Sequence, residues 1–185
     1  MTKFVSEALT DRTITRSIAL MVTTDYLRTL VDFHYWARDR MLEDVERLSA
    51  EQYSRALGNS FSSVRDTVNH LYLGEWIWLN RWNGVSLPMP PTQEQPQTIG
   101  ELKSAWVAHE VKMRAFVHSL GGDGHMRVVE YKTLAGDSFS NPIWPMLVHV
   151  LNHATYHRGQ VTTMLRQLDL HQLKATDLIL YFRTH

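Results

Sequence analysis

Apolar positions recur at helical spacing over four long stretches of the chain, each bounded by residues that start or stop helices. The first runs from about Thr24 to Leu48, with Leu27, Leu30, Val31, Met41, Val45 and Leu48 on one stripe, and Leu48-Ser49-Ala50-Glu51 breaks the pattern. The second begins near Ser60 or Ser62, either able to cap it, and ends at Asn83-Gly84. Leu87-Pro-Met-Pro-Pro-Thr-Gln-Glu-Gln-Pro96 cannot be helical and predicts an extended connection over the surface. The third helix opens on the capping box Thr98-Ile99-Gly100-Glu101 and stops at Leu120-Gly121-Gly122.

Residues 126–140 change period. Val128, Val129, Tyr131, Thr133 and Phe139 flank Ala135-Gly136-Asp137, the pattern of a short β-hairpin that must pack on the helices to persist. The fourth helix opens at Asn141-Pro142, with Asn141 as cap and Pro142 in the first turn, and continues to about Leu168. A short helix over Thr176–Phe182 closes the chain. Four long helices with one long crossover predict an all-α four-helix bundle, and such bundles build metal and cofactor sites in the core from facing helices. Residues 1–21 read as an N-terminal arm or short helix and 22–185 as one bundle domain.

Composition narrows the function classes. Nineteen basic residues balance nineteen acidic ones, so nothing suggests a phosphate-backbone partner, and no nucleic acid is expected. The tryptophans Trp76, Trp78, Trp82, Trp106 and Trp144 are read as packing rather than base-stacking platforms. No apolar run approaches the ~20 residues that span a bilayer, and Lys3, Glu7, Asp11, Arg12 and Arg16 interrupt any signal-peptide core, so no membrane partner is expected. The absence of cysteine removes thiolate ligands and nucleophiles and fits a cytoplasmic address.

Among ten histidines, position selects. His149, His153 and His157 follow one another at four-residue intervals on the fourth helix. His153 and His157 lie about 40° apart on a helical projection, within a stripe of Ile143, Met146, Val150, Ala154, Val161, Met164, Leu165 and Leu168. Two imidazoles in an apolar stripe need partners for their ring nitrogens, and a metal ion supplies two of them. His149 falls at the edge of the stripe, as a rim or outer-layer residue. A third ligand must come from a neighbouring helix, and the second offers His70 with Leu73, Gly74 and Ile77 on its side. That helix is apolar nearly all round, with Phe61, Val64, Val68, Leu71 and Leu79 on a different face, so periodicity leaves open which face meets the core. Asp66, one turn before His70, is placed to accept the second ring N–H and fix its tautomer.

His34 and His109 also sit on apolar stripes, where each reads as a buried, hydrogen-bonded histidine that could line the cavity. The motif H-E-x-x-H is absent because Ala154 follows His153, so the glutamate base of the zincins is missing and no catalytic residue is assigned.

The stretch His149-Val-Leu-Asn-His153-Ala-Thr-Tyr-His157-Arg158-Gly159-Gln160 resembles the hallmark of the DinB family of bacterial damage-inducible metalloproteins. Asn69-His70-Leu71-Tyr72-Leu73-Gly74-Glu75-Trp76-Ile77-Trp78-Leu79 is similar to that family's second helix, and Tyr35-Trp36-Ala37-Arg38 to its first, where asparagine more often stands in place of Arg38. The resemblance covers roughly residues 22–182. It implies an up-down-down-up bundle, usually a homodimer, with a divalent ion, zinc or nickel, on His70, His153 and His157. It also implies a metal-dependent hydrolase or a thiol S-transferase, using an open three-histidine site to activate water or a small thiol. The alternative is a non-catalytic metal- or ligand-binding stress protein in which the ion is structural.

Overall fold

A computed structural model of the chain describes residues 22–90 and 94–185. The N-terminal arm or short helix expected over residues 1–21 lies outside the described residues.

Four long helices form the frame: α1 (Thr24–Val45), α3 (Val64–Trp82), α4 (Ile99–Ser119) and α5 (Ile143–Gln167). Two short helices, α2 (Ala50–Ser54) and α6 (Leu178–Thr184), and a hairpin of β1 (Val128–Lys132) and β2 (Ser138–Pro142) complete it. A 3-10 turn, Gly124–Met126, leads into the hairpin. The helices run up-down-down-up. The side-by-side neighbours are α3 with α5, α1 with α5, α1 with α4 and α3 with α4. Consecutive helices α1 and α3 are therefore diagonal, as are α4 and α5. Each diagonal is crossed by a connection long enough to carry structure of its own: α2 on one, the hairpin on the other. The connection between α3 and α4, of which residues 91–93 lie outside the described residues, joins adjacent parallel helices.

The local signals explain most boundaries. Thr23 caps α1 by accepting from the Tyr26 amide, and Thr98 and Glu101 form the expected capping box of α4. Gly84 ends α3 with φ +82°, a conformation that costs glycine nothing. Three expectations need correction. The cap of α3 is Ser63 rather than Ser60 or Ser62, accepting from the Asp66 amide. The segment after Leu48 is not a plain break: Ser49 and Gln52 make a second capping box that starts α2. Asn141 and Pro142 belong to β2, and Asn141 accepts from the Tyr131 hydroxyl at 3.1 Å instead of capping α5. The hairpin competes for those residues because its register pairs Val128 with Pro142 and Lys132 with Ser138.

One apolar core runs the length of the bundle. Leu27, Val31, Leu42 and Val45 of α1 meet Val64, Val68, Leu71 and Trp82 of α3, Leu102 and Trp106 of α4, and Leu147, Val161 and Leu165 of α5. This settles the face of α3 that periodicity left open. The Val64, Val68, Leu71, Leu79 side enters the core, and the His70, Gly74, Ile77 side faces a cleft shared with α5. Arg38 is accommodated at 2 % exposure by donating to Asp39 and Glu110, both at 2.6 Å.

Candidate metal centre

His70 enters from α3, and His153 and His157 from α5. One ring nitrogen of each lies within 4.8 Å of the others, and no other group of three His, Cys, Asp or Glu ligands does so among the described residues. The Nε2 atoms of His70 and His153 are 2.9 Å apart. Ring centroids are separated by 4.8 Å for His70–His153, 4.7 Å for His70–His157 and 4.3 Å for His153–His157.

The surroundings set the orientation of each ring. Nδ1 of His157 donates to Oε1 of Gln160 at 2.6 Å, one turn on, which directs the bare Nε2 at the cluster. Phe61 stacks on His70 with centroids 4.2 Å apart and meets His157 edge-on at 5.5 Å. Phe61 had been grouped with the opposite face of α3. Because α3 begins only at Val64, that residue precedes the helix and is free to fold back over the site. Gly74 faces His153: a Cβ there would touch its Cε1 at 3.7 Å, so glycine keeps the cleft open beside the ring.

Burial and mutual repulsion keep His70 and His153 uncharged. Desolvation, reinforced by His157, brings His70 down to about 4. Desolvation, then His157, His70 and His149, brings His153 down to about 4 as well. Both are neutral at pH 7. A direct His70–His153 hydrogen bond needs one Nε2 to carry the proton, so a cation and that proton compete for the same place.

Asp66 does not serve His70. Its carboxylate accepts from the Ser62 hydroxyl and, at 3.2 Å, from Arg65 Nε, which ties it to the start of α3. Burial works to raise its pKa, but the donors from Ser62, Ser63 and Arg65 hold it below the ordinary value. His149 is at the exposed rim, its ring 5.9 Å from His153 and 5.6 Å from Trp78.

His34 and His109 lie inside and converge on Glu75, a residue that the sequence reading did not single out. Glu75 is 2 % exposed and lines the same cleft as His70 and His153. It accepts from His34 Nε2 at 2.8 Å, Tyr35 hydroxyl at 3.1 Å and Trp106 Nε1 at 3.0 Å. His109 Nε2 stands 4.0 Å away and has no hydrogen-bond partner among the described residues. Burial works to raise the Glu75 pKa, and the His34 imidazole, with His109 and the Trp106 N–H, more than offsets it, so the carboxyl lies below its usual value. Arg158 backs His34 with Nη1 3.4 Å from its Nδ1, and desolvation brings this guanidinium down to about 10, still cationic at neutral pH. The signal for Glu75 was available: it is the one carboxylate in the middle of an otherwise apolar helix.

A cleft of about 160 Å³ opens beside the cluster, lined by His70, Gly74, Glu75, Trp78, His149 and His153 among others. The molecule is thus a helical bundle with three imidazoles converging from two facing helices beside a small solvent-reached cleft, the arrangement of a histidine-cluster bundle protein. The DinB family model matches residues 21–181, and the chain belongs to that family. Protein DinB of Bacillus subtilis (strain 168) is 22% identical over 151 residues, covering 78% of this chain and 87% of that protein. Two solved structures share the fold: a DinB-like protein from Bacillus cereus ATCC 10987, with a TM-score of 0.60 at 14% identity, and a DinB-like protein from Bacillus subtilis, with 0.58 at 18%. They cover 79% and 80% of this chain, and 95% and 96% of their own. Among the described residues, no helix is long and apolar enough to cross a membrane.

Proposed function

We propose that His70, His153 and His157 hold a divalent ion, zinc or nickel, and that the protein is a metal-dependent enzyme acting on a small molecule. The observation that carries this reading is the convergence of three imidazole nitrogens within 4.8 Å. Tetrahedral zinc with nitrogens at ~2.0–2.1 Å sets them about 3.3 Å apart, so the observed cluster needs only shifts of the order of an ångström. The donor set therefore fits. An ion so held carries its full charge and lowers the pKa of a water or thiol in an open position, which is the chemistry of a hydrolase or a thiol S-transferase.

The chain's own groups divide the remaining work. Gln160 holds the His157 tautomer. Phe61 covers the cluster on one side, and the cleft admits the substrate on the other. His149, exposed at the rim, stands where the cleft meets solvent. Glu75 is committed to three donors and serves as a fixed negative charge behind the site rather than a mobile base.

Elemental analysis of protein purified without nickel resin, alongside His70→Ala, His153→Ala and His157→Ala, tests the reading. It expects a single divalent ion per chain, lost in each variant. Protein that takes up neither zinc nor nickel would overturn it.

One observation favours a second reading, in which the ion is structural: among the described residues no unengaged carboxylate lies beside the cluster, and the three histidines come from α3 and α5. A His153→Ala protein that melts well below wild type in the presence of zinc would support that reading, and an unchanged melt would remove it. The cytoplasmic address and the homodimer stay within this proposal. The exposed Val107 and Val111 on α4 are consistent with pairing, which light scattering of the purified chain decides.

A further inference from the structure

Three arginines are buried among the described residues, and two of them are paired. Arg38 donates to Asp39 and Glu110, and Arg158 donates to Thr155 at 2.7 Å. Arg81, at the last turn of α3 and 8 % exposed, is different. Its guanidinium lies 4.8 Å from the Trp78 ring centroid and 5.3 Å from that of Tyr131 on the hairpin. Among the described residues no oxygen accepts from it and no carboxylate stands within ion-pair distance. None of its nitrogens is among the enclosed unpartnered atoms, so the guanidinium opens onto the cleft with five donors that no protein acceptor engages, and it is free to take an anion from there.

Arg81 lines the same cleft as His70 and His153. We propose that this cleft binds a small organic oxyanion, a carboxylate or phosphate, with Arg81 taking the charged end and the histidine cluster facing the other. The planar fork of arginine suits both groups bidentately, and the two aromatic rings hold it flat. The inference rests on the metal-enzyme reading only for what happens at the histidine end. The anion site stands on Arg81 itself.

Geometry limits the ligand. Arg81 follows Gly74 by two helical turns, about 10 Å of rise, and helical side chains lean toward the N-terminus, which brings the guanidinium back toward the histidines. Ile77, Trp78 and Leu134 wall the space between, so the body of the ligand is short and apolar or aromatic. The cleft of about 160 Å³ is smaller than a typical drug-sized pocket, which excludes large ligands from lying wholly inside. Glu75 also lines it, but its carboxylate is held by His34, Tyr35 and Trp106 on the core side and presents little unpaired charge to the cleft. The hairpin thereby acquires a role: Tyr131 fixes the guanidinium and Leu134 forms a lip.

The test uses a probe panel of acetate, benzoate, 3-phenylpropionate, phenyl phosphate and inorganic phosphate, with acetamide, benzamide and 3-phenylpropionamide as neutral matches. Binding is followed by the fluorescence of the full chain and by calorimetry, with and without zinc. The expected result is at least one oxyanion preferred about tenfold or more over its neutral match. That preference should vanish in Arg81→Gln, survive in part in Arg81→Lys, and be present without zinc. Circular dichroism melts confirm that both variants fold. No preference across the panel, or a preference that survives in Arg81→Gln, overturns the proposal. Failure to bind zinc would overturn the metal reading alone, since the anion preference is measured without it.

Discussion

Replacing Glu75 with alanine should be among the most damaging single changes in this protein, more so than loss of any one cluster histidine. The substitution removes the acceptor of three buried donors, His34 Nε2, Tyr35 hydroxyl and Trp106 Nε1, at 2.8, 3.1 and 3.0 Å. Each orphaned donor costs about 1–3 kcal/mol, so the three together cost about 3–9 kcal/mol. Water entering from the cleft relieves part of this, so about 4 kcal/mol is expected, a large share of the ~5–15 kcal/mol that holds a domain together. For a chain of this size that corresponds to a fall in melting temperature of about 8–16 °C. Glu75→Gln keeps one acceptor oxygen but sets an N–H₂ against donors, and is expected to cost about 2 kcal/mol. Urea unfolding of metal-free protein, with m-values compared across wild type, Glu75→Gln and Glu75→Ala, measures both. If Glu75→Ala loses less than about 1 kcal/mol, the network is not what organises the interior, and the reasoning from buried donors fails.

Two further predictions concern the cluster. His70 and His153 are held near 4, so between about pH 4 and 6.5 the unfolded chain binds protons that the folded one does not. Stability of the metal-free fold should therefore rise with pH through that window and decline as pH falls through it. Urea unfolding of metal-free protein at pH 7, 6 and 5, compared with His70→Ala and His153→Ala, checks this, and a pH dependence unchanged in both variants would contradict the burial argument. Gln160→Leu removes the acceptor that directs Nε2 of His157 inward and should weaken zinc affinity about 10–100-fold with little change in the melt, read by competition with a chromophoric chelator.

The four long helices were legible in the chain because each signal is local. Caps such as Thr98 with Glu101, the stop at Gly84 and the 3.6-residue apolar period all act within a few residues. The pairing of His153 with His157 was legible for the same reason, since one helix fixes both. His70 could be offered from its neighbours on α3 but not assigned from them, because an almost wholly apolar helix has no single face to read. Only packing α3 against α5 turned that side toward the cleft.

The misses share one cause. Spacing along a helix offers Asp66 to His70, whereas Ser62 and Arg65, just before and just after a helix start that spacing does not fix, hold its carboxylate. Phe61 was placed on a helical face it never joins. Glu75 draws its partners from α1 and α4, at 41, 40 and 31 residues' separation, and Arg81 is stacked by a tyrosine from the hairpin. Sequence determined which side chains each helix can present, because backbone hydrogen bonding and side-chain period are local properties. The tertiary structure alone decided which of them meet, because apolar burial is non-directional and is satisfied only when whole faces close on one another.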